Sequence, residues 1–409
     1  MAEIKTAVAG AVATTVACVM PVFLVGGLAV QIGADLRFSP AGLGLAVAVY
    51  FGVSALASVP AGGLVERYGS TVIARAGILL AAAGMLAIGA FARSLPLLVL
   101  LLGASAAANA LGQLASNAAL ARRVPAGRQG LSFGLKQAAI PLSTLLAGAA
   151  VPAIALTLHW RWAFVFAAVL ALGALALVPP DARTAAGASA ERAGERATAA
   201  LVVIALGSVC ASGAASALSA FLVDSSVSRG LAPGPAGLML SFGSVVCVAA
   251  RVGAGALADR TTGGHIAGNA ALLAIGAVGM GLLTLSGPVA LASGVLLALG
   301  LGWAWPGLQN FAVVRLHPQA PAAATSITQT GVYAGACVGP LVLGTVAAHA
   351  GYPTMWTVAA GAMLAAALLM LAGARMLRAA GAARARPPDG RAPRRPADAA
   401  APSSSPPAR

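Results

Sequence analysis

The chain has 409 residues, of which 59% are hydrophobic and 9% are charged, and its mean hydropathy is +0.91. A soluble domain carries about 25% charged residues, so the composition excludes a large soluble domain and predicts a protein with many membrane spans. The apolar runs are continuous rather than alternating, which argues against a β-barrel. The net charge of +15 does not indicate nucleic acid binding, because the basic residues lie in short loops and one tail.

Twelve apolar stretches are long enough to cross a bilayer as helices, which takes about 20 residues each. The first of them is longer than the apolar region of a signal peptide, so we predict an uncleaved first span. The predicted fold is an all-α polytopic membrane protein with 12 transmembrane helices in two six-helix pseudo-repeats. The spans are 7–31, 41–64, 72–92, 96–120, 131–156, 161–179, 199–223, 235–257, 266–286, 289–314, 322–347 and 354–376.

Polar stretches divide the chain into four predicted regions. They are an N-terminal six-helix bundle (1–180), a cytoplasmic linker (181–198), a C-terminal six-helix bundle (199–377) and a disordered basic cytoplasmic tail (378–409). The tail is rich in Ala, Pro and Arg and has no apolar periodicity. Twenty Lys and Arg residues fall on the membrane side that holds both termini, and four fall on the other. The positive-inside rule therefore predicts a multi-pass protein of the inner membrane with both termini in the cytoplasm.

Three sequence features recur in the second half of the chain at nearly one offset. Two recur after 193 residues and one after 192. The pairs are Gly62-x-Leu64-x-Glu66-Arg67 with Gly255-x-Leu257-x-Asp259-Arg260, Asn117-x4-Arg122-x2-Pro125 with Asn310-x4-Arg315-x2-Pro318, and Gln137 with Gln329. Because each half has six spans, the repeats are parallel. Paired repeats of this kind are how many transporters build a central site with alternating access.

The repeated acidic loop resembles a known motif. Gly255-Ala-Leu-Ala-Asp259-Arg260, with Arg251 just before it, resembles the signature cytoplasmic loop of the major facilitator superfamily, and Gly62-Gly-Leu-Val-Glu66-Arg67-Tyr-Gly69 resembles its first-half copy. The resemblance covers about residues 7–377 and implies a transporter with that fold. It also implies a role in conformational change for Gly62, Glu66, Arg67, Gly69, Arg251, Gly255, Asp259 and Arg260. Glu66 replaces the family's usual Asp, and basic positions of the loop are missing. We therefore expect weaker state-locking contacts.

Polar side chains inside the spans are the candidate lining of a central cavity. The fourth span places three amides at i, i+4 and i+8, which is one helical face, and the eleventh span carries a second polar face. Two tryptophans interrupt the middle of the tenth span, whereas membrane tryptophans usually lie at interfaces. The candidates are Asn109, Gln113, Asn117, Lys136, Gln137, Trp303, Trp305, Asn310, Gln329, Thr330 and Tyr333. The alternative interpretation is hydrogen bonding and packing between helices.

Lys136 is the most informative of these residues. It lies about five residues into its span, roughly 8 Å at 1.5 Å per residue. A lysine at that depth either snorkels to the surface or faces a cavity and holds an anionic substrate. Because no carboxylate lies well inside any span, the sequence offers no internal partner for the ammonium group, which favours a substrate anion.

We therefore predict a transporter of a small solute, with a small anion as the favoured substrate, working by alternating access as a monomer in the lipid bilayer. One alternative is efflux of drug-like or apolar metabolites, and another is a membrane sensor or assembly partner without transport. No enzyme activity, cofactor, metal site or nucleic acid partner is predicted. The four cysteines lie in apolar segments without a C-x-x-C pair, which is typical of packing residues.

Overall fold

The computed structural model describes residues 2–37, 40–180 and 198–385. These residues form α-helices joined by short turns, and none of them lies in a strand, as predicted. Residues 181–197 of the predicted linker and 386–409 of the predicted tail lie outside the described residues. The predicted disorder is wrong for residues 378–385, because they continue the last helix.

Fourteen α-helices make up the described chain. Residues 2–180, here called the N-terminal half, contain Ala2–Gly27 (α1), Ala29–Leu36 (α2), Pro40–Tyr68 (α3), Ser70–Phe91 (α4), Leu95–Ser105 (α5), Ala107–Arg123 (α6), Gln129–Ala150 (α7) and Trp160–Ala174 (α8). Residues 198–385, here called the C-terminal half, contain Thr198–Val227 (α9), Pro233–Ala258 (α10), His265–Leu282 (α11), Pro288–Val295 (α12), Trp305–Leu316 (α13) and Pro321–Ala385 (α14).

The helices account for the predicted number of spans. Eleven helical stretches of the described chain are long and apolar enough to cross a membrane. The last of them covers 59 residues, which is too long for one bilayer. Gly351 breaks this stretch with φ 81° and ψ 167°, a conformation that glycine adopts at little cost. Counting the parts before and after Gly351 separately gives twelve spans.

The fourth and tenth spans are broken at matching places. α5 ends at Ser105 and α6 begins at Ala107. In the tenth span a π turn (Leu296–Leu301) and a 3-10 turn (Gly302–Ala304) separate α12 from α13. The 193-residue offset places Ala106 at Leu299, inside that π turn. Helices interrupted at corresponding positions of two repeats are the best pointer to a transporter's binding site.

Each half of the chain has its own hydrophobic core. One core comes almost entirely from residues 17–178 and the other, apart from partly buried neighbours, from residues 204–374. In the second core, Gly331, Gly335 and Gly339 lie against the backbone of α9 between residues 205 and 213. A Cβ built on Gly335 would lie 2.9 Å from the Gly213 nitrogen, so only glycine permits this approach.

The halves meet along two helix pairs, α3 with the first part of α14 and α7 with α10. A third small core joins them where Phe133 faces Phe311, with ring centroids 6.5 Å apart. Gly134 of α7 packs on α10, and a Cβ built there would lie 2.5 Å from the Arg251 carbonyl oxygen. We call the side of the molecule where α1 and α7 begin and α3 and α10 end the basic face.

Candidate functional site

Lys136 lies in the interior of the N-terminal half with none of its surface exposed. Its ammonium group donates hydrogen bonds to the Gln113 side-chain oxygen, to Asn117 Oδ1 at 2.9 Å and to the Gln113 carbonyl at 3.4 Å. The lysine therefore does not snorkel to the surface. Two of the three predicted amides of the fourth span point their oxygens at it, which explains why amides, rather than apolar residues, occupy that face of α6.

Several polar atoms of the predicted set are buried without a hydrogen-bond partner. They include two donors at repeat-related positions, Asn117 Nδ2 and Asn310 Nδ2, together with Trp305 Nε1 and Gln137 Oε1. A buried polar group without a partner costs about 1–3 kcal/mol. Asn117 shows the asymmetry of its site, because its oxygen binds Lys136 while its nitrogen is left free. Such groups are available to a ligand.

Asn109 and Tyr333 connect the two halves at the centre of the molecule. The Tyr333 hydroxyl donates to Asn109 Oδ1 at 3.0 Å, and both residues are buried. The Tyr333 ring also stacks on Phe51 of α3, with centroids 6.1 Å apart. Gln329 is buried one turn away on the same face of α14. Phe51 was missed by sequence reasoning, since an aromatic residue in an apolar span carries no signal of its own.

Arg251 is a second buried cation, only 1% exposed, on α10. It donates to the Gln137 carbonyl at 2.6 Å and to the Trp303 carbonyl at 3.1 Å, and it lies 5.2 Å from the Trp303 ring centroid. The guanidinium group therefore ties α10 to α7 of the other half and to the broken tenth span. The resemblance grouped Arg251 with the conformational loop motif, just before Gly255, and the structure buries its side chain beside the predicted cavity residues.

The two acids of the repeated loop each bind the start of a helix in the opposite half. Asp259 accepts hydrogen bonds from the Gly130 and Leu131 amides at 2.7 and 2.9 Å, at the beginning of α7. Glu66 accepts from the Ala322 amide at 2.8 Å, at the beginning of α14, and also pairs with Arg122. A carboxylate at a helix N-terminus satisfies free amides and opposes the positive end of the helix dipole. Both contacts join the two halves at the basic face.

The remaining residues of the loop motif have packing or surface positions. Gly62 and Gly255 allow close approach between halves, since a Cβ on Gly62 would lie 2.8 Å from Ser326 Cβ and one on Gly255 would overlap Gly130. Gly69 has φ 89° in the turn between α3 and α4. Arg67 and Arg260 are exposed.

The predicted cavity residues are thus brought together only in part. Nine of the eleven are buried, and Trp303 and Thr330 are half-buried. Lys136, Gln113 and Asn117 form one cluster. Trp305 lies in the core of the C-terminal half. Thr330 donates to a carbonyl of its own helix at 2.9 Å. Gln309, missed by sequence reasoning, bonds to Ser208 at 2.9 Å, although an amide beside Asn310 in the tenth span was a usable signal.

The described residues contain no group of three or more His, Cys, Asp or Glu side chains that could hold a metal ion. Their free cysteines are Cys18, Cys210, Cys247 and Cys337.

Comparison with solved structures finds the same architecture in known transporters. The FucP transporter in its outward conformation has a TM-score of 0.68 at 16% identity, covering 89% of this chain and 98% of that one. The proton:xylose symporter XylE, bound to 6-bromo-6-deoxy-D-glucose, has a TM-score of 0.75 at 16% identity, with coverage of 91% and 96%. The human organic anion transporter MFSD10 has a TM-score of 0.69 at 16% identity, with coverage of 90% and 98%. At this identity the likeness establishes the fold.

No curated protein matches the chain. The family model of the Major Facilitator Superfamily matches residues 8–340, which confirms the resemblance drawn from the repeated loop and the predicted fold. Members of this family are transporters rather than enzymes. With its fold, its span count and a family match over most of its length, this chain belongs to the Major Facilitator Superfamily of membrane transporters.

Proposed function

We propose that the protein carries a small anion across the inner membrane by alternating access, with residues 1–180 and 199–377 acting as two rocking six-helix bundles. The observation that carries the choice of an anion is Lys136. Its ammonium group is fully buried and bonded only to amide and carbonyl oxygens. Among the described residues, the ion pairs of Arg122 with Glu66 and of Arg161 with Asp35 do not include Lys136.

Burying a cation without a counter-charge costs free energy. The effective penalty for burying an ion is several kcal/mol, and a buried cation without its partner leaves that penalty uncompensated. Here two cations, Lys136 and Arg251, are buried within the membrane region and are bonded to neutral oxygens only. A small anion that binds near them supplies the missing negative charge. Intramembrane ionisable residues usually mark substrate pathways for this reason.

The unpartnered polar atoms among the predicted cavity residues are mostly donors. Asn117 Nδ2, Asn310 Nδ2 and Trp305 Nε1 are buried and unpartnered. Ionised carboxylate and sulfate groups accept hydrogen bonds and do not donate them, so a surplus of donors suits an oxyanion of this kind better than a sugar. The similar fold of a human organic anion transporter supports the compatibility of this architecture with anionic substrates.

Alternating access is supported by where the two halves touch. The cap contacts of Glu66 and Asp259 and the close approach of Gly134 to α10 all lie towards the basic face. The count of Lys and Arg residues supports assigning this face, with both termini, to the cytoplasm. We infer that the structure represents the state closed to the cytoplasm, and that rocking of the halves breaks these contacts to open it. The protein is expected to act as a monomer.

The experiment is a thermal-unfolding screen of the purified full chain. Phosphate, sulfate, acetate and succinate are compared with xylose and with tetraphenylphosphonium at constant ionic strength. Wild type is run beside Lys136→Ala and Lys136→Met, since Met keeps much of the length of the side chain. Arg75→Gln serves as the control for loss of a positive charge, because Arg75 is an exposed residue of α4.

Stabilisation by an anion that is lost in both Lys136 variants and kept in Arg75→Gln supports the proposal, and uptake of that anion into proteoliposomes is the next measurement. Stabilisation by xylose or by tetraphenylphosphonium alone, unchanged in the Lys136 variants, contradicts an anionic substrate. In that case transport of neutral solutes or efflux of apolar compounds takes its place.

A further inference from the structure

A cavity opens at the basic face between the ends of α6 and α13. Its volume is about 240 Å³, and it is lined by Ala121, Ala126 and Gln129 from the N-terminal half and by Val314, Arg315 and Pro318 from the C-terminal half. Drug-sized ligands occupy pockets of about 300–1,000 Å³, so this cavity suits a smaller molecule. None of these residues belongs to the predicted central site.

The cavity lies where the two repeats meet. Ala121 and Val314 are related by the 193-residue offset that also relates Asn117 to Asn310. Each asparagine precedes its cavity residue by four positions, so it lies one turn deeper on the same helical face. Both asparagines are buried and have an unpartnered amide nitrogen. The cavity therefore has hydrogen-bond donors of both repeats beneath it.

One charged side chain, that of Arg315, lines the cavity. The exposed Arg315 donates one hydrogen bond, to the Ala126 carbonyl at 3.1 Å, and a guanidinium group has five N–H donors. Two acids of this face are engaged elsewhere, Asp259 with the amides that begin α7 and Glu66 with Arg122 and Ala322. The Gln129 amide nitrogen already donates hydrogen bonds to the Ala121 and Val124 carbonyls, at 2.9 and 3.0 Å.

We propose that this cavity is a regulatory site for a small carboxylate, separate from the Lys136 cluster, and that its ligand holds the basic face closed. Arg315 supplies the charge-assisted hydrogen bonds. Because both halves contribute walls, the site is complete only while the halves are in contact. A ligand that binds one state of an equilibrium shifts the population towards that state. An anion that binds this site from the basic-face side therefore slows opening of the protein to that side.

The test uses citrate as the probe on the purified full chain, titrated at constant ionic strength while thermal unfolding is recorded. Two variants change the site in different ways. Arg315→Gln removes its charge, and Ala121→Leu fills its volume while the charge stays. Arg75→Gln is the control for an exposed cation on the same face, and Lys136→Ala reports on the central cluster.

Citrate is expected to stabilise wild type, Arg75→Gln and Lys136→Ala alike. The half-maximal citrate concentration is expected to rise about tenfold or more in Arg315→Gln, because a charge-assisted contact is lost, and in Ala121→Leu, because the leucine side chain occupies the cavity. Citrate stabilisation that persists in both cavity variants overturns the proposal. So does stabilisation lost only in Lys136→Ala, which places citrate in the central site and leaves the proposed transport of an anion intact. A complete lack of citrate stabilisation in wild type also overturns it.

Discussion

Gly134→Ala is expected to open the basic face. Gly134 of α7 packs against the backbone of α10, and an added Cβ would lie 2.5 Å from the Arg251 carbonyl oxygen, where ordinary contact begins at 3.4 Å. The atoms it meets are backbone atoms, which cannot rotate away, so α7 and α10 have to separate by about 0.9 Å. Overpacking of this kind costs about 1–3 kcal/mol.

That cost applies only while the halves are in contact, so it shifts the equilibrium towards the open basic face by about 5- to 150-fold. Alanine also raises helix propensity by up to about 1 kcal/mol over glycine. Gly148→Ala on the same helix controls for this gain, because a Cβ on Gly148 meets nothing within 4 Å.

The assay is the distance between two spin labels on the basic face, introduced as Arg75→Cys and Thr262→Cys in a background without native cysteines. Both positions are exposed and lie in opposite halves. Gly134→Ala should lengthen the distance distribution, and Gly148→Ala should leave it as in wild type. A folded Gly134→Ala protein with an unchanged distribution would refute the inference that α7 and α10 separate during opening.

Three further predictions concern contacts that join helices. Tyr333→Phe loses the hydrogen bond to Asn109, worth about 0.5–1.5 kcal/mol, and should lengthen the same spin-label distances with little change in thermal stability. Gly335→Leu should lower the unfolding temperature by forcing α14 away from α9, whereas Gly361→Leu should not, since nothing lies within 4 Å of Gly361. Asp259→Ala should cost about 0.5–2 kcal/mol of closed-state stability, as for other lost helix caps. Proteolysis of the basic face should then be faster in Asp259→Ala than in Asp259→Asn, because asparagine keeps an acceptor oxygen.

The sequence was sufficient to predict the parts of this fold that depend on local composition. Spans follow from apolar length, and the repeat follows from three paired features, so the twelve-helix architecture was accessible. The break at Gly351 was also foreseeable, because it falls between two predicted spans. The helical continuation to Ala385 was not, because the prolines later in the same tail outweighed the alanine and arginine that favour a helix.

The site was less accessible, because its key contacts join residues far apart in the chain. The amide spacing predicted a polar face on α6, yet it did not reveal that the oxygens of Gln113 and Asn117 face Lys136. Glu66 reaches Ala322 across 256 positions, and Tyr333 reaches Asn109 across 224. Such pairs are determined by how the two halves dock, and neither periodicity nor spacing in one chain encodes that docking.

Each half of the chain caps a helix of the other half, and this arrangement involves water in the conformational change. When the halves part, the amides of Gly130, Leu131 and Ala322 lose Asp259 and Glu66, and solvent has to take over those hydrogen bonds. Opening the basic face is therefore a hydration reaction as well as a movement. Osmolytes that are excluded from protein surfaces disfavour hydrated states. The transport cycle should consequently respond to the osmotic strength of the solution that bathes this face, independently of any substrate gradient.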